Sequence, residues 1–219
     1  MKNVLIFNGS PRKTGNTSAL IKYFVLGVEA NSSQIEIIDA ETLNLDYCQG
    51  CLRCNMLKRC SRTKDDWEDI ARKIDIADVL VFASPVYFHH VTAQLKKLID
   101  RFRSLFHVQI TETGLIHTAI KEWDKELVVV LTQGSPDAAD AQPAIDMFRF
   151  LLSILAPNKE FHLITGTRLA VTNQLNMTEP ELAKLYGKLK LPEFLAKPDF
   201  DRNQKLIVEC RSLGEKLSM

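Results

Sequence analysis

Residues 4–18 read VLIFNGSPRKTGNTS, and the parsing of this stretch decides the fold. Positions 4–8 are an apolar run closed by Gly9, which reads as a buried strand, and positions 18–30 are mostly apolar over a helix-length span. Between them lies a loop of hydroxyl and amide side chains carrying Arg12 and Lys13. A dinucleotide-binding unit places G-x-G-x-x-G at this turn; NGSPRKTGNT lacks the first spacing, so the mononucleotide version of a doubly wound fold fits better. Unpaired N–H groups and the positive end of the helix dipole make such a loop a natural phosphate cradle. The same Asn, Thr and Ser residues serve equally as helix caps.

The alternation continues along the chain. Strands are expected at 34–39, at 79–83 (stopped by Ser84-Pro85), at 127–131 and at 161–165. Helices are expected at 66–76, with Trp67, Ile70, Ala71 and Ile74 at helical spacing, at 91–106, at 143–155 and, amphipathic and closing the chain, at 202–219. Five strands, several apolar throughout, predict an α/β, flavodoxin-like, doubly wound parallel sheet of order 2-1-3-4-5 with helices on both faces. A chain of 219 residues suits one such domain. It would carry a cysteine-rich insertion at 46–62, after strand 2, and a C-terminal extension from about 166. Ligands in this topology sit beyond the carboxyl ends of the strands. The second loop there is Ser84-Pro85-Val86-Tyr87-Phe88-His89-His90, whose aromatic rings suit stacking on a flat heterocycle or plugging the sheet end. The third is Thr132-Gln133-Gly134-Ser135-Pro136, small residues that let a ring edge approach the backbone.

Composition narrows the function. Hydrophobic residues are 46% and charged residues 25%, and 28 Lys and Arg against 27 Asp and Glu give a net charge of +1. No global field favours nucleic acid or an anionic membrane. No apolar stretch approaches the ~20 residues of a membrane span, and the apolar run at the start is too short for a signal-peptide core, so a cytoplasmic location is expected. Thiols there stay reduced, and clustered ones are more often metal-binding or catalytic than disulfide-forming.

Four of the five cysteines, Cys48, Cys51, Cys54 and Cys60, stand in CQGCLRCNMLKRC with spacing C-x2-C-x2-C-x5-C. Structural zinc normally draws on two Cys pairs separated by a longer loop, whereas consecutive steps of three suit a [4Fe–4S] run. A redox dithiol would use only Cys-x-x-Cys. Arg53, Lys58, Arg59 and Arg62, interleaved with the thiols, suit an anionic cluster and argue against four inert buried thiols. Asp65 and Asp66 are explained by the start of the next helix, with Ser61 or Thr63 as a cap, and Cys210 reads as a core residue.

The loops GSPRKTGNT and SPVYF, with LKKLIDRF after them, resemble the NADPH-dependent FMN reductase group over roughly residues 1–135. CQGCLRCNMLKRC followed by Asp65-Asp66 is similar to the iron–sulfur flavoproteins of that group. The resemblance implies FMN, with Ser10, Arg12, Asn16, Thr17 and Ser18 around its phosphate and Pro85, Val86, Tyr87 and Phe88 beside its ring. It implies Thr132 and Gly134 there as well, and a [4Fe–4S] cluster on Cys48, Cys51, Cys54 and Cys60. The implied activity is electron transfer between FMN and the cluster, with ferredoxin or NAD(P)H as donor, a small-molecule acceptor, and a homodimer or homotetramer as the assembly. Two alternatives stay open: a cluster-free NAD(P)H-dependent flavin, quinone or nitro reductase, and a non-enzymatic redox sensor. His89 and His90 lack a visible orienting carboxylate, and residues 165–201, with Pro180, Pro192 and Pro198, suit a lid or an interface arm.

Overall fold

The computed structural model describes residues 1–159 and 161–219. In chain order its strands are β1 (Asn3–Asn8), β2 (Gln34–Asp39), β3 (Val79–Pro85), β4 (Phe106–Thr111), β5 (Gly114–Ala119), β6 (Glu126–Thr132) and β7 (Phe161–Gly166). The α-helices are α1 (Asn16–Val28), α2 (Cys54–Leu57), α3 (Trp67–Ile76), α4 (Ala93–Arg101), α5 (Gln142–Leu155), α6 (Glu179–Lys188) and α7 (Ala196–Ser218). The main sheet runs β2-β1-β3-β6-β7, every pair parallel, which is the expected order once the β4–β5 hairpin is set aside.

The continuous apolar runs have a direct cause: both faces of the sheet are covered. Leu5, Phe7, Leu80, Phe82, Val129 and Leu131 pack on one side beneath α3, α4 and α5. Val4, Ile6, Val79, Val81, Val128 and Val130 pack on the other beneath α1 and α7. Cys210 belongs to this second core; its thiol donates to the Leu20 carbonyl at 3.2 Å, and burial pushes its pKa up to about 12.

Two expectations change. The helix expected at 91–106 ends at Arg101, tightens into a 3-10 turn over Phe102–Leu105, and gives way at Phe106 to β4. The antiparallel β4–β5 hairpin turns at Glu112-Thr113, which carries none of the Asn-Gly or Asp-Gly chemistry that marks a tight hairpin. Asn55 reaches it from α2, accepting from Val108 N at 3.0 Å and donating to Val108 O at 2.7 Å. The closing helix starts at Ala196 rather than 202, with Pro198 in its first turn, where no intrahelical N–H bond is lost.

Candidate functional site

At the carboxyl ends of β1, β3 and β6, three loops converge on a cleft of about 230 Å³. Ser10, Arg12, Asn16 and Thr17 line it from the first loop, Pro85, Val86 and Tyr87 from the second, and Thr132 and Gly134 from the third. Ser18 and Phe88, the other two expected cofactor contacts, do not line it. The Ser18 hydroxyl turns back to donate to Arg12 O at 2.9 Å. Phe88 is fully exposed. It sits with His89 at the tip of a turn closed by reciprocal Tyr87 and His90 backbone bonds, both tip residues having positive φ (48° and 63°).

The side chains at the start of α1 brace the loop. Asn16 donates to Leu169 O and Val171 O at 3.0 and 2.8 Å and accepts from Leu175 N at 3.0 Å. Thr17 and Thr132 share a buried hydroxyl contact of 2.6 Å. Helix α1 has no side-chain cap at Gly15 and no acidic residue in its first turn, so its leading backbone N–H groups and the helix dipole meet the cleft beside exposed Arg12 and Lys13. This is a fit for a phosphate dianion made by backbone and cations rather than by hydroxyl side chains.

Gly15, Gln133, Leu169 and Ala170 also line the cleft. Gln133 lies inside a loop already singled out, but nothing in the sequence marks Leu169 or Ala170, which reach the site across more than 150 residues of chain. Arg12 donates to Ala170 O at 3.3 Å, and Leu169 N donates to Gln133 O at 2.8 Å. Part of the segment expected to be a lid or arm is therefore a wall of the cleft. It is fastened from behind: Gln174 accepts from Val171 N and donates to the Tyr186 hydroxyl, and Arg202 donates to Thr167 O. Tyr186 in turn donates to buried Asp199; burial first, then that carboxylate, raises its pKa to about 12.

The histidines find different surroundings. His89 Nδ1 lies 3.1 Å from Asp140 O, whereas His90 is half-buried, and burial lowers its pKa with Lys96 acting in the same direction.

Cys48, Cys51, Cys54 and Cys60 all border a second, small cavity of about 20 Å³. The cations that touch sulfur are ones the sequence did not flag. Arg101 donates to Cys60 Sγ at 3.3 Å and Arg103 to Cys54 Sγ at 3.5 Å, both from the end of α4 and the turn after it. Arg62 pairs with Asp46 instead. Asp65 is no simple helix-start charge: its carboxylate binds buried Arg101, accepts from Asp46 N at 2.9 Å and Trp67 N at 3.2 Å, and so ties together the two ends of the cysteine loop. Ser61 is not a cap; its hydroxyl lies 3.8 Å from Cys51 Sγ. The Arg53 backbone N–H and then Ser61 lower the Cys51 pKa, while burial raises that of Cys54 against the opposing charge of Arg103. Four thiols with two guanidiniums on their sulfurs are a donor set suited to an anionic metal centre. As the loop lies, no three His, Cys, Asp or Glu side chains among the described residues gather closely enough to hold a metal ion. The cavity has room for about one water molecule.

A doubly wound parallel sheet of this order, with a cleft where the loops after β1, β3 and β6 meet, makes this a flavodoxin-like protein. Residues 2–163 match the model of the NADPH-dependent FMN reductase family, and the chain belongs to that family. An iron-sulfur flavoprotein of Archaeoglobus fulgidus is 34% identical over 99 residues, 45% of this chain and 44% of that protein. An iron-sulfur flavoprotein of Methanocaldococcus jannaschii is 37% identical over 102 residues, 47% of this chain and 52% of that protein. The match thus spans about half the length of these curated relatives. Among solved structures, an FMN-dependent NADH-azoreductase from Bacillus anthracis in complex with FMN superposes over 100% of both chains with a TM-score of 0.66 at 16% identity. An NAD(P)H:quinone oxidoreductase from Methanothermobacter marburgensis does so with a TM-score of 0.63 at 14% identity, covering 100% of this chain and 96% of that one. At these identities the likeness is one of fold. Among the described residues no helix is long and apolar enough to cross a membrane.

Proposed function

We propose that the chain binds FMN in the cleft and acts as a flavin-dependent oxidoreductase, with Cys48, Cys51, Cys54 and Cys60 holding a [4Fe–4S] cluster. The observation that carries the reading is the convergence of the three loops on one cleft at the uncapped start of α1. In this reading the leading N–H groups of α1 and the Arg12 guanidinium take the phosphate, with Ser10 beside them. Pro85, Val86 and Tyr87 from the second loop and Thr132 and Gly134 from the third would hold the ring, with Leu169 and Ala170 closing the wall of the cleft. When bound, FMN exchanges electrons singly or in pairs and a cluster exchanges them singly. The family and the named relatives support NAD(P)H as a donor and a small-molecule acceptor. Ferredoxin as the other donor and a homodimer or homotetramer as the assembly belong to the reading on the family resemblance alone.

The cluster assignment rests on the donor set and on the names of the relatives, and it requires the loop to draw its thiols together on loading. The ungathered thiols favour a second reading: a cluster-free NAD(P)H-dependent reductase with the same flavin cleft. The deciding experiment is the visible spectrum of protein purified without oxygen, with iron, zinc and acid-labile sulfide assayed on the same sample. Flavin absorption on a broad brown background with about four irons and four sulfides per chain supports the first reading. Flavin without iron or sulfide supports the second, and no flavin at all refutes both.

A further inference from the structure

The wall of the cleft is laid by chain that lies beyond residues 2–163, the span that matches the family. Helix α6 and the start of α7 close around a small core of their own, Leu182, Tyr186 and Ala196, separate from the two cores on the faces of the main sheet. Polar groups are sunk at its margin: Asp199 is 3% exposed, Gln174 3%, Tyr186 1% and Asn203 1%. Their bonds run in one direction. The Tyr186 hydroxyl donates to Asp199 and accepts from Gln174 Nε2 at 3.3 Å, while Gln174 Oε1 accepts from Val171 N at 3.1 Å. Arg202 links the same carboxylate, at 2.5 Å, to Thr167 O at 3.0 Å, and Asn203 donates to Gln174 O at 3.4 Å. Arg168, whose Nε lies 3.6 Å from Asp199, holds a left-handed φ of 54°, a conformation that persists only where its neighbours fix it. Each path from the Asp199 carboxylate thus ends on 167–174, the segment that presents Leu169 and Ala170 to the cleft.

A carboxylate buried in a helix is costly, and so small a core would be as stable with apolar side chains in its place. Stability is therefore a poor reason for Asp199, and fixing the wall is a sufficient one. We propose that Asp199 and Tyr186 are positioning residues of the flavin site, acting through Gln174 and Arg202 to hold Leu169 and Ala170 against the bound ligand, an assignment that rests on the reading of the cleft as an FMN site. Asn16 grips the same segment from the front, at Leu169 O, Val171 O and Leu175 N. The wall is held between the start of α1, which takes the phosphate in that reading, and Asp199 behind it. Loosening the rear should weaken flavin binding whether or not the flavin carries a phosphate.

The test is stopped-flow binding of FMN and of riboflavin to intact, flavin-free protein, together with hydrogen exchange of a peptide covering 167–176. Tyr186→Phe deletes one hydroxyl and keeps the ring in its core; Asp199→Asn removes the charge. Each should raise the dissociation rates of FMN and riboflavin by the same factor, about tenfold, the worth of one buried hydrogen bond. Each should also speed exchange at 167–176 in flavin-free protein more than it does at β1. A loss confined to FMN, the signature expected of Arg12→Ala, would overturn the assignment. Equal acceleration of exchange at 167–176 and at β1, the mark of a purely structural network, would overturn it too. If Asp199→Asn does not fold, Tyr186→Phe decides alone. Wild type that takes up neither flavin sinks the FMN reading and this assignment with it; wild type that binds both while Tyr186→Phe matches its rates sinks this assignment alone.

Discussion

The Asp65–Arg101 pair shows how much a single residue can be asked to hold. Both side chains are almost wholly buried, 3% and 1% exposed, and Asp65 also secures the Asp46 and Trp67 amides. Removing the acid leaves a charged guanidinium without its partner, a change that costs roughly 3–5 kcal/mol. Asp65→Asn should therefore lower the urea midpoint strongly, and Arg101 should release the cysteine loop. The pair also sets a pH dependence. Burial alone would raise the Asp65 pKa, but the bonds from Arg101, Asp46 and Trp67 outweigh it and leave the pKa lowered. Its contribution is thus complete above the ordinary carboxylate pKa of about 3.9 and disappears as pH falls through the lower folded value. Urea unfolding followed from about pH 5 down to about pH 2 should show wild type losing this increment and Asp65→Asn having none to lose; parallel curves would refute the assignment. Arg12 is a residue-scale test of the cleft. Arg12→Ala should weaken FMN binding by about tenfold or more, the worth of a charge-assisted hydrogen bond, while riboflavin, which has no phosphate, binds as before. Equal losses for both ligands would place Arg12 away from the phosphate.

Between elements, the closest packing is that of α1 on α7. A Cβ at Gly27 would lie 2.0 Å from Arg211 O, and one at Gly214 would lie 2.2 Å from Phe24 O. Alanine at either position raises helix propensity by about 1 kcal/mol, yet it cannot be accommodated without parting two helices in the core. The clash is against backbone, so it wins: Gly27→Ala should destabilise by about 2 kcal/mol or more, seen as a drop in thermal midpoint. A rise would mean that the helices sit farther apart. The cysteine loop obeys a different economy. Left-handed residues at Gly50, Leu52 and Lys58 bend it, and its order comes from Asp65 and Arg101 at its margin and from Asn55 within it, bonded to Val108, rather than from a core of its own.

At the scale of the molecule the two candidate centres are separate pieces of construction. The cleft and the cysteine cavity share no lining residue. Cys51→Ser should accordingly abolish iron binding and leave FMN content unchanged; wild-type iron in that variant would remove Cys51 from the ligand set. FMN added to flavin-free protein should raise the thermal midpoint, since a ligand at 100 times its Kd stabilises the native state by about 2.7 kcal/mol. That gain should persist in Cys51→Ser.

The order of the main sheet, the three ligand loops and the grouping of the cysteines were legible in the sequence because each is written locally. Continuous apolar runs mark strands buried on both faces, and a polar loop between strand and helix marks the carboxyl edge of the sheet. The β4–β5 hairpin was not legible, because Glu112-Thr113 carries no turn signal and the apolar spacing of α4 runs on through Leu105. Nor were the partners of the site. That Asn16 braces a wall 153 residues away, that Arg101 rather than Arg62 reaches a cysteine sulfur, and that Phe88 points outward depend on which segments the fold sets side by side. The sequence by itself determined the topology and the chemistry available to the loops. Only the tertiary structure decided which polar groups are spent on bracing and which remain free for a ligand, because a hydrogen bond between distant segments leaves no period or spacing in the chain.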